Sequence, residues 1–447
     1  MEPLSRRRVI GAAAAAGALL PVTAAAPRGK GTAKHHPFLW GVATAAHQIE
    51  GNNVNSDYWL LENVAGTGFP EPSGDACNSW ERWPEDVALV RGLGLNAYRF
   101  SVEWARIEPE PGVFSNAVLD HYRRMCAACR EAGISPVVTY HHFTSPRWIA
   151  ARGGWENPET ADRFARYCER VTHAIGDFVD WGCTINEPNA QVTSYVVANG
   201  KPFAREAQIR AEAARATGSD RFHAFFQGDS LKVRDVTLIA HRKGVEAIKG
   251  VAPHMKVGIT LALQDLSARP GGEALYRRIF DESRAPYYAL ADRDDFIGMQ
   301  TYNRMATGPS GYLPTSPTAT NDAWGRDTDA EAIAGVAHEI THHCRAPILI
   351  TENGVTATDD RLRMAYLDRV FPVVRRLRRE GLPLLGYIHW SLLDNFEWGS
   401  GYKPRFGLYA VDRTSFRRTA KPSVALYRSL VAQARIHDRH IERNTRT

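Results

Sequence analysis

Hydrophobic and polar positions follow two alternating spacings along most of this chain. Short apolar runs of strand length recur, and longer stretches between them repeat apolar residues at helical spacing. Short apolar runs ended by Gly, Pro or polar residues predict buried strands, and the 3.6-residue repeat predicts amphipathic helices. The predicted strands are Phe38–Thr44, Ala97–Ser101, Ser135–Tyr140, Val179–Asn186, Lys256–Leu263, Asp295–Thr301, Pro347–Glu352 and Leu385–Trp390. The predicted helices are Trp83–Leu93, Asn116–Ala132, Pro158–Phe178, Val233–Lys249, Asp329–Cys344 and Asp360–Glu380.

Strands that alternate with helices predict a parallel sheet covered by helices. Because eight strands are the number that closes a (β/α)8 barrel, the pattern predicts a single-domain α/β TIM barrel over residues 37–432. Two connections are long, 189–231 after the fourth strand and 303–326 after the sixth. Both are expected over the carboxyl face of the barrel, where they shape substrate access. Residues 433–447 are basic and are expected to form a C-terminal tail.

The first 26 residues carry the features of an export signal. Arg6-Arg7-Arg8 precedes an Ala-rich apolar run, and Thr23-Ala24-Ala25-Ala26 offers a small-residue cleavage site. This pattern predicts a Tat-type signal peptide, followed by a short linker over 27–36 and export to the periplasm or medium. An ordinary Sec signal and an uncleaved anchor are the alternatives. The apolar run is too short for stable membrane insertion.

Composition narrows the class of partner. The 447 residues are 44% hydrophobic with a net charge of +6, which is ordinary for a globular protein. No basic patch is interleaved with aromatics, so a nucleic-acid partner is not expected. Cys126 and Cys129 form a CxxC within a helical run that lacks a second pair at zinc spacing, so they are interpreted as packed thiols. No cofactor or metal is predicted, and disulfide pairing and oligomeric state stay open.

Two strands end in a glutamate. The seventh delivers Glu352 and then breaks at Gly354, and the fourth delivers Glu187 before Pro188. The carboxyl ends of barrel strands are where this fold places its chemistry. The two carboxylates are therefore expected at one barrel mouth, on opposite sides of the ring. A buried ion pair is the structural alternative for each of them.

Paired carboxylates across a pocket suit cleavage of a glycosidic bond. One must be protonated to assist the leaving oxygen, and the other must be ionised to attack the anomeric carbon. A retaining pair stands roughly 5 Å apart and an inverting pair more than about 6.5 Å, a distance that a sequence does not contain. A divalent-metal site and a buried structural network are competing uses of such a pair.

Ordered motifs make a more specific case. The chain resembles the glycoside hydrolase family 1 β-glycosidases from Phe38 to about Leu430. The resemblance rests on Phe38-Leu39-Trp40-Gly41-Val42-Ala43-Thr44-Ala45 with Gln48, Tyr98-Arg99-Phe100-Ser101, His142 before Pro146, Thr184-Ile185-Asn186-Glu187-Pro188, Ile350-Thr351-Glu352-Asn353-Gly354, the run Trp390 to Trp398, and Arg405-Phe406-Gly407.

The resemblance implies a role for each matching residue. Glu352 is then the nucleophile and Glu187 the general acid/base of a retaining exo-β-glycosidase acting on a small β-glycoside. Arg99, Asn186 and Tyr302 support catalysis: Arg99 and Tyr302 neighbour the nucleophile, and Asn186 contacts the 2-hydroxyl. The residues implied in substrate binding are Gln48, His142, Trp324, Trp390, Glu397, Trp398 and Phe406. A catalytically weak sugar-binding barrel, a transglycosidase, and an inverting or metal-assisted hydrolase remain alternatives.

Several positions depart from the family pattern. Gln300 and Thr301 replace the residues that usually precede Tyr302, Phe143 stands where a Trp usually follows the histidine, and Gly325-Arg326-Asp327 depart from the pattern after Trp324. These departures bear on substrate preference. A carboxylate at Glu397 would repel a phosphate, so a non-phosphorylated glycone is expected. The identity of the sugar and of the aglycone stays open.

Overall fold

The predicted strands close into a parallel barrel. The computed structural model describes residues 37–201, 204–316 and 320–444, with side chains through 438. With the eight barrel strands numbered β1 to β8 along the chain, as bounded below, their order around the ring is β1-β8-β7-β6-β5-β4-β3-β2. The fold class predicted from the sequence is confirmed. The barrel strands are β1 (Leu39–Ala43), β2 (Ala97–Ser101), β3 (Ser135–His141), β4 (Trp181–Asn186), β5 (Lys256–Ala262), β6 (Phe296–Gln300), β7 (Ile348–Asn353) and β8 (Leu384–Trp390).

Helices surround the barrel, and one overlaps each of the predicted helical stretches. Apolar side chains of the long helices pack against the outer face of the strands, and the burial of both faces explains the continuous apolar runs. The helices are Ala46–Ile49, Asp57–Asn63, Ser79–Gly92, Trp104–Ile107, Asn116–Glu131, Arg147–Ala150, Glu159–Ile175, Ala190–Val197, Glu206–Thr217, Ser230–Val251, Glu273–Ser283, Ala285–Ala291, Ala332–His343, Asp360–Arg379 and Pro422–Asn444, with 3₁₀ turns at Gly154–Glu156, Gly176–Phe178 and Trp398–Ser400.

Both glutamate-bearing strands lose regular register near their carboxyl ends. The pairing of β4 with β5 shifts between Cys183 and Asn186, and that of β7 with β6 shifts between Ile350 and Glu352. Irregular register re-aims side chains and recurs beside active sites. The ring order separates β4 from β7 by β5 and β6, so the two strands are three positions apart rather than diametrically opposite as the sequence suggested.

The two long connections contain regular structure. Residues 189–231 include the helices Ala190–Val197 and Glu206–Thr217. Residues 303–326 contribute two strands of a small sheet formed by Asp265–Ala268, Arg304–Gly308 and Gly311–Tyr312. A two-stranded hairpin, Tyr409–Val411 with Arg418–Ala420, follows the barrel. Val192 and Val196 of the first connection are buried together with Leu266 and Ile279, which lie between β5 and β6.

The last helix, Pro422–Asn444, passes through the domain end expected at residue 432. Asp438, on that helix, accepts a hydrogen bond from Trp40 Nε1 at 2.8 Å and forms an ion pair with Arg378. Trp40 is a residue of β1 and is fully buried. The helix past residue 432 is thus packed on the barrel, which corrects the expected boundary of a separate tail. The predicted signal peptide and linker lie outside the described residues.

The six cysteines are buried free thiols. Cys126 and Cys129 lie on the buried side of the helix Asn116–Glu131, and burial raises the pKa of both thiols. Among the residues that the structure describes, no helix is long and apolar enough to cross a membrane. No group of three or more His, Cys, Asp or Glu side chains within the same ranges is placed to hold a metal ion.

Candidate active site

A cavity of about 520 Å³ opens at the carboxyl ends of the barrel strands. That volume lies within the range of small-molecule sites. All but one of the site residues predicted from the sequence line it; Arg99 lies behind the cavity wall. The predicted residues that line it are Gln48, His142, Asn186, Glu187, Tyr302, Trp324, Glu352, Trp390, Glu397, Trp398 and Phe406.

Glu352 is held by three donors. Its Oε1 accepts hydrogen bonds from Arg99 Nη1 at 2.5 Å and from Gln300 Nε2 at 3.0 Å, and its Oε2 accepts one from the Tyr302 hydroxyl at 2.6 Å. The residue is only 4% exposed. A buried carboxylate with a cation and two further donors is stabilised in its ionised form and fixed in orientation.

Arg99 links the two glutamate-bearing strands. It is fully buried, and its Nη2 donates to Asn186 Oδ1 at 2.6 Å while its Nε donates to Thr139 Oγ1 at 3.1 Å. Burial lowers the pKa of Arg99, but the charge and hydrogen bond of Glu352, together with the nearby Cys183, raise it overall. Arg99 therefore stays cationic at the centre of the network.

Glu187 occupies a different environment. Its φ of 47° is in the left-handed region, which is uncommon for a residue with a side chain and clusters at functional sites. Its backbone N–H donates to the Thr260 carbonyl at 2.9 Å, whereas its carboxyl accepts no hydrogen bond from any described residue. Withdrawal from water, reinforced by the negative charge of Glu352, raises the pKa of Glu187 well above its ordinary value, although the nearby arginines act in the opposite direction.

Asn186 is oriented by its neighbours. Its Oδ1 accepts from Arg99, from Gln300 Nε2 at 2.8 Å and from Thr260 Oγ1 at 3.0 Å. The Nδ2 group is then the donor toward His142 Nε2 at 3.3 Å. Burial and the charge of Arg99 lower the pKa of His142 well below its ordinary value, so the ring is neutral and its remaining proton is on Nδ1.

Five buried polar atoms on residues that line the cavity lack a hydrogen-bond partner among the described residues. They are Gln48 Oε1, His142 Nδ1, Gln300 Oε1, the Tyr312 hydroxyl and Arg326 Nη2, of which the last forms an ion pair with Asp322. Gln48 is held through its amide nitrogen by the Phe396 carbonyl at 2.7 Å. Buried polar atoms are almost always paired in folded proteins, so an unpaired set in a cavity indicates a ligand with hydroxyl groups.

Aromatic rings form another part of the wall. The imidazole of His142 is nearly parallel to the Trp390 indole, with ring centroids 5.9 Å apart, and Trp398 stacks on His47 at 5.4 Å. Glu397 lies beside them, and its Oε1 is 3.4 Å from Trp390 Nε1. Burial raises the pKa of Glu397 to about 8. Polar groups for the edge of a sugar and an indole for its apolar face thus share one pocket.

The mouth contains residues that sequence reasoning missed or set aside. Arg326 lines the cavity with its guanidinium 4.4 Å from the centre of the Trp324 ring. Gln300, noted only as a departure, donates to both Glu352 and Asn186. Phe143 is buried against Phe226, with centroids 4.6 Å apart, and adds an apolar wall without an indole N–H. The position of Gln300 at the end of β6 was a usable signal, whereas Arg326 carried none.

The sequence is similar to known glycosidases over nearly its whole length. The family model described as glycosyl hydrolase family 1 matches residues 32–277 and 287–436. A β-glucosidase from Agrobacterium sp. is 31% identical over 88% of this chain and 94% of its own. A bifunctional β-D-glucosidase/β-D-fucosidase from Bifidobacterium breve is 32% identical over 88% of this chain and 97% of its own.

Solved structures share the fold. The crystal structure of β-glycosidase BGL167 is 43% identical with a TM-score of 0.86, covering 89% of this chain and 96% of that one. A β-glucosidase from Thermotoga maritima in complex with azafagomine is 27% identical with a TM-score of 0.77, covering 89% and 98% of the two chains.

Proposed function

Because this chain belongs to glycosyl hydrolase family 1 and is therefore an O-glycosyl hydrolase, we propose that it is a retaining exo-β-glycosidase. Its substrates are non-phosphorylated β-glycosides or short oligosaccharides, cleaved by double displacement. One observation carries the proposal: two carboxyls share a cavity in opposite electrostatic settings. Glu352 is paired with Arg99 and two further donors, whereas the pKa of Glu187 is raised.

The first displacement needs an ionised nucleophile and a protonated acid. Glu352 bonds to the anomeric carbon as the bond to the leaving oxygen breaks, and that oxygen takes the proton of Glu187. Arg99 and Tyr302 keep Glu352 ionised and aimed, because both donate to its oxygens. The raised pKa of Glu187 keeps its proton available near neutral pH.

The second displacement reverses the roles. Glu187, now ionised, takes a proton from water, and the resulting hydroxide equivalent attacks the anomeric carbon. The bond to Glu352 breaks and the sugar leaves with its original β configuration. Asn186 supports both steps by contacting the 2-hydroxyl, since its Nδ2 is the donor left over after Oδ1 is saturated by three neighbours.

The glycone pocket is formed by Gln48, His142, Trp390, Glu397 and Trp398. Glucose is the first glycone to test, because relatives are β-glucosidases. Charge repulsion by Glu397 accounts for only part of the expected preference against phosphorylated sugars. With a pKa of about 8, the Glu397 carboxyl of the free enzyme is mostly neutral at pH 7, so it repels a phosphate only weakly. Burying a phosphate beside a carboxyl without a dedicated cation is still unfavourable.

Glu352→Ala tests the assignment directly. Turnover of an aryl β-glucoside should be abolished, and azide should partly restore it by entering the vacated space. Glu81→Ala is the matched control, because Glu81 is exposed on the helix Ser79–Gly92 and should keep full activity. NMR of the first-formed anomer tests retention. Near-wild-type activity of Glu352→Ala contradicts the assignment, and an inhibitor that binds wild type without turnover identifies a sugar-binding barrel instead.

We also propose that residues 1–26 direct export through the Tat pathway. The support is the arginine triplet before the Ala-rich run. Replacing Arg6, Arg7 and Arg8 together by Lys should leave the protein in the cytoplasm, because Tat requires arginines, whereas a Sec signal tolerates lysines. Fractionation with immunoblotting is the measurement, and unchanged export of the triple variant contradicts a Tat signal.

A further inference from the structure

Arg326 is the only lysine or arginine among the described residues that line the cavity. The same wall carries three carboxyl groups, on Glu187, Glu352 and Glu397. A lone cation in such a setting is expected to pair with the acids or to serve a ligand. No described glutamate forms a hydrogen bond or ion pair with Arg326. The partner of Arg326 is Asp322, which does not line the cavity.

Asp322 holds Arg326 in one orientation. Its Oδ2 accepts from Arg326 Nε at 2.8 Å and lies 2.6 Å from Nη2. Its Oδ1 accepts the backbone N–H groups of Trp324 at 2.8 Å and Arg326 at 2.9 Å, which fixes the turn between them. Asp322 is 7% exposed, so this clamp is shielded from water. The guanidinium is therefore placed before any ligand arrives, which reduces the entropy cost of binding.

The guanidinium is flanked by aromatic rings. Its centre lies 4.4 Å from the Trp324 ring centroid, 5.4 Å from that of Tyr302 and 5.7 Å from that of Phe406. Stacking on aromatic faces leaves the in-plane N–H groups of an arginine free for hydrogen bonds. Asp322 occupies the Nε and Nη2 side, and Nη1 has no acceptor among the described residues. One donor of this cation is thus unused by the protein.

Trp324 offers a second feature at the same place. It is 44% exposed, and it is the only aromatic among the large hydrophobic side chains exposed in the described part of the chain. It also lines the cavity. An exposed indole at the entrance of a binding site is a surface for a planar apolar group. Arg326 lies over the Trp324 ring and Phe406 packs edge-on against it at 5.3 Å, so a planar ligand that packs on the part of the indole left free lies next to Arg326.

We propose that Trp324 and Arg326 select β-glycosides whose aglycone is an aromatic ring carrying a carboxylate. The inference rests on the proposed glycosidase function and adds the substrate class. The ring stacks on Trp324 and the carboxylate accepts from Arg326 Nη1, a charge-assisted hydrogen bond. In the reaction, the bond between the anomeric carbon and the phenolic oxygen breaks, the proton of Glu187 passes to that oxygen, and the carboxylate is unchanged.

The carboxyls that line the cavity do not prevent this binding at neutral pH. The charge of Glu352 is paired with Arg99 at 2.5 Å. Glu397 is mostly neutral at pH 7 because burial raises its pKa to about 8, and burial with the charge of Glu352 raises that of Glu187. The negative field at the mouth is therefore weaker than three ionised carboxylates would create, and Arg326, although paired with Asp322, keeps Nη1 available to a ligand.

The test compares two substrates that differ in charge. They are 4-carboxyphenyl and 4-carbamoylphenyl β-glycosides, both carrying the glycone that wild type cleaves best in a nitrophenyl panel. The measured quantity is the ratio of their kcat/KM values for wild type, Arg326→Gln and Arg326→Lys at low and high salt. Arg405→Gln is the matched control, since Arg405 is exposed next to Phe406 and does not line the cavity.

Wild type should favour the carboxylate, and Arg326→Gln should lower the ratio by about tenfold through KM, the size expected for one charge-assisted bond. Arg326→Lys should keep part of the preference, because the charge stays but the stacked plane is lost. An unchanged ratio in a folded Arg326→Gln, or an equal fall in Arg405→Gln, overturns the proposal. Absence of turnover of both substrates and of the panel contradicts the glycosidase assignment instead, so the two failures are distinct.

Discussion

Removing the hydroxyl of Tyr302 isolates one contact of the candidate nucleophile. The Tyr302 hydroxyl is the one donor to Glu352 Oε2 among the described residues, whereas Oε1 has both Arg99 and Gln300. Tyr302→Phe deletes that donor and keeps the ring, which packs edge-on against Phe406 with centroids 5.8 Å apart. The change therefore frees one carboxylate oxygen without opening a cavity.

The magnitude follows from the type of bond. A hydrogen bond to a charged group contributes roughly 1.5–3 kcal/mol. At about 1.4 kcal/mol for each factor of ten, its full loss in the transition state corresponds to a roughly 10- to 100-fold fall in kcat/KM. Because Arg99 still holds Oε1, the carboxylate stays ionised and the loss comes from poorer aim of the attacking oxygen. Thermal stability should change little.

The assay is kcat/KM for an aryl β-glycoside with an activated leaving group, so that the acid step does not mask attack by Glu352. Tyr195→Phe is the control, since Tyr195 lies on the helix Ala190–Val197 and does not line the cavity. Tyr195→Phe should keep the wild-type rate. A Tyr302→Phe rate within twofold of wild type, or an equal loss in both variants, would refute the positioning argument.

Two further predictions concern protonation and the last helix. Because burial and Glu352 raise the pKa of Glu187, the basic limb of the kcat/KM profile should fall as pH rises through that pKa. Glu187→Gln should remove this basic limb and slow a phenyl glycoside by about 10²–10⁴-fold, with a smaller loss for a dinitrophenyl glycoside; a limb that persists in the variant assigns it to another group. Asp438→Ala should destabilise the protein by about 2 kcal/mol in urea unfolding, because the buried Trp40 indole loses its acceptor. The exposed Asp281→Ala should have no effect, and equal stabilities of the two variants would show that the helix beyond residue 432 does not support the barrel.

The arrangement of the barrel was predictable because both spacings of the chain are local. The alternation of strand-length apolar runs with 3.6-residue repeats led to strands whose bounds agree with the structure within about two residues, from Leu39–Ala43 to Leu384–Trp390. The helix Pro422–Asn444 was not among the predicted helices, and residues 433–447 were expected to form a tail because they are basic. Asp438 is polar, yet it contacts residues distant in sequence, Trp40 and Arg378, which no local pattern encodes.

The candidate site, like the fold, was predicted only in part from the sequence. Short motifs predicted Glu187, Glu352 and nine other residues that line the same cavity. The motifs did not predict that Gln300 donates to both Glu352 and Asn186. In the sequence, its longer amide side chain is only a departure from the family pattern, and its contacts depend on the fold. The sequence analysis also expected Glu397 to be ionised. Burial, which is a property of the folded chain, instead raises the pKa of Glu397 to about 8.

The sequence by itself determined the fold, the family and the pair of glutamates, because these depend on the order and spacing of residues along the chain. The tertiary structure decided which carboxyl is paired with a cation and which has no hydrogen-bonding partner among the described residues, since those properties depend on neighbours from other strands. It also decided the role open to Arg326. That residue lies outside every motif, and only the turn held by Asp322 places it over Trp324 at the cavity mouth.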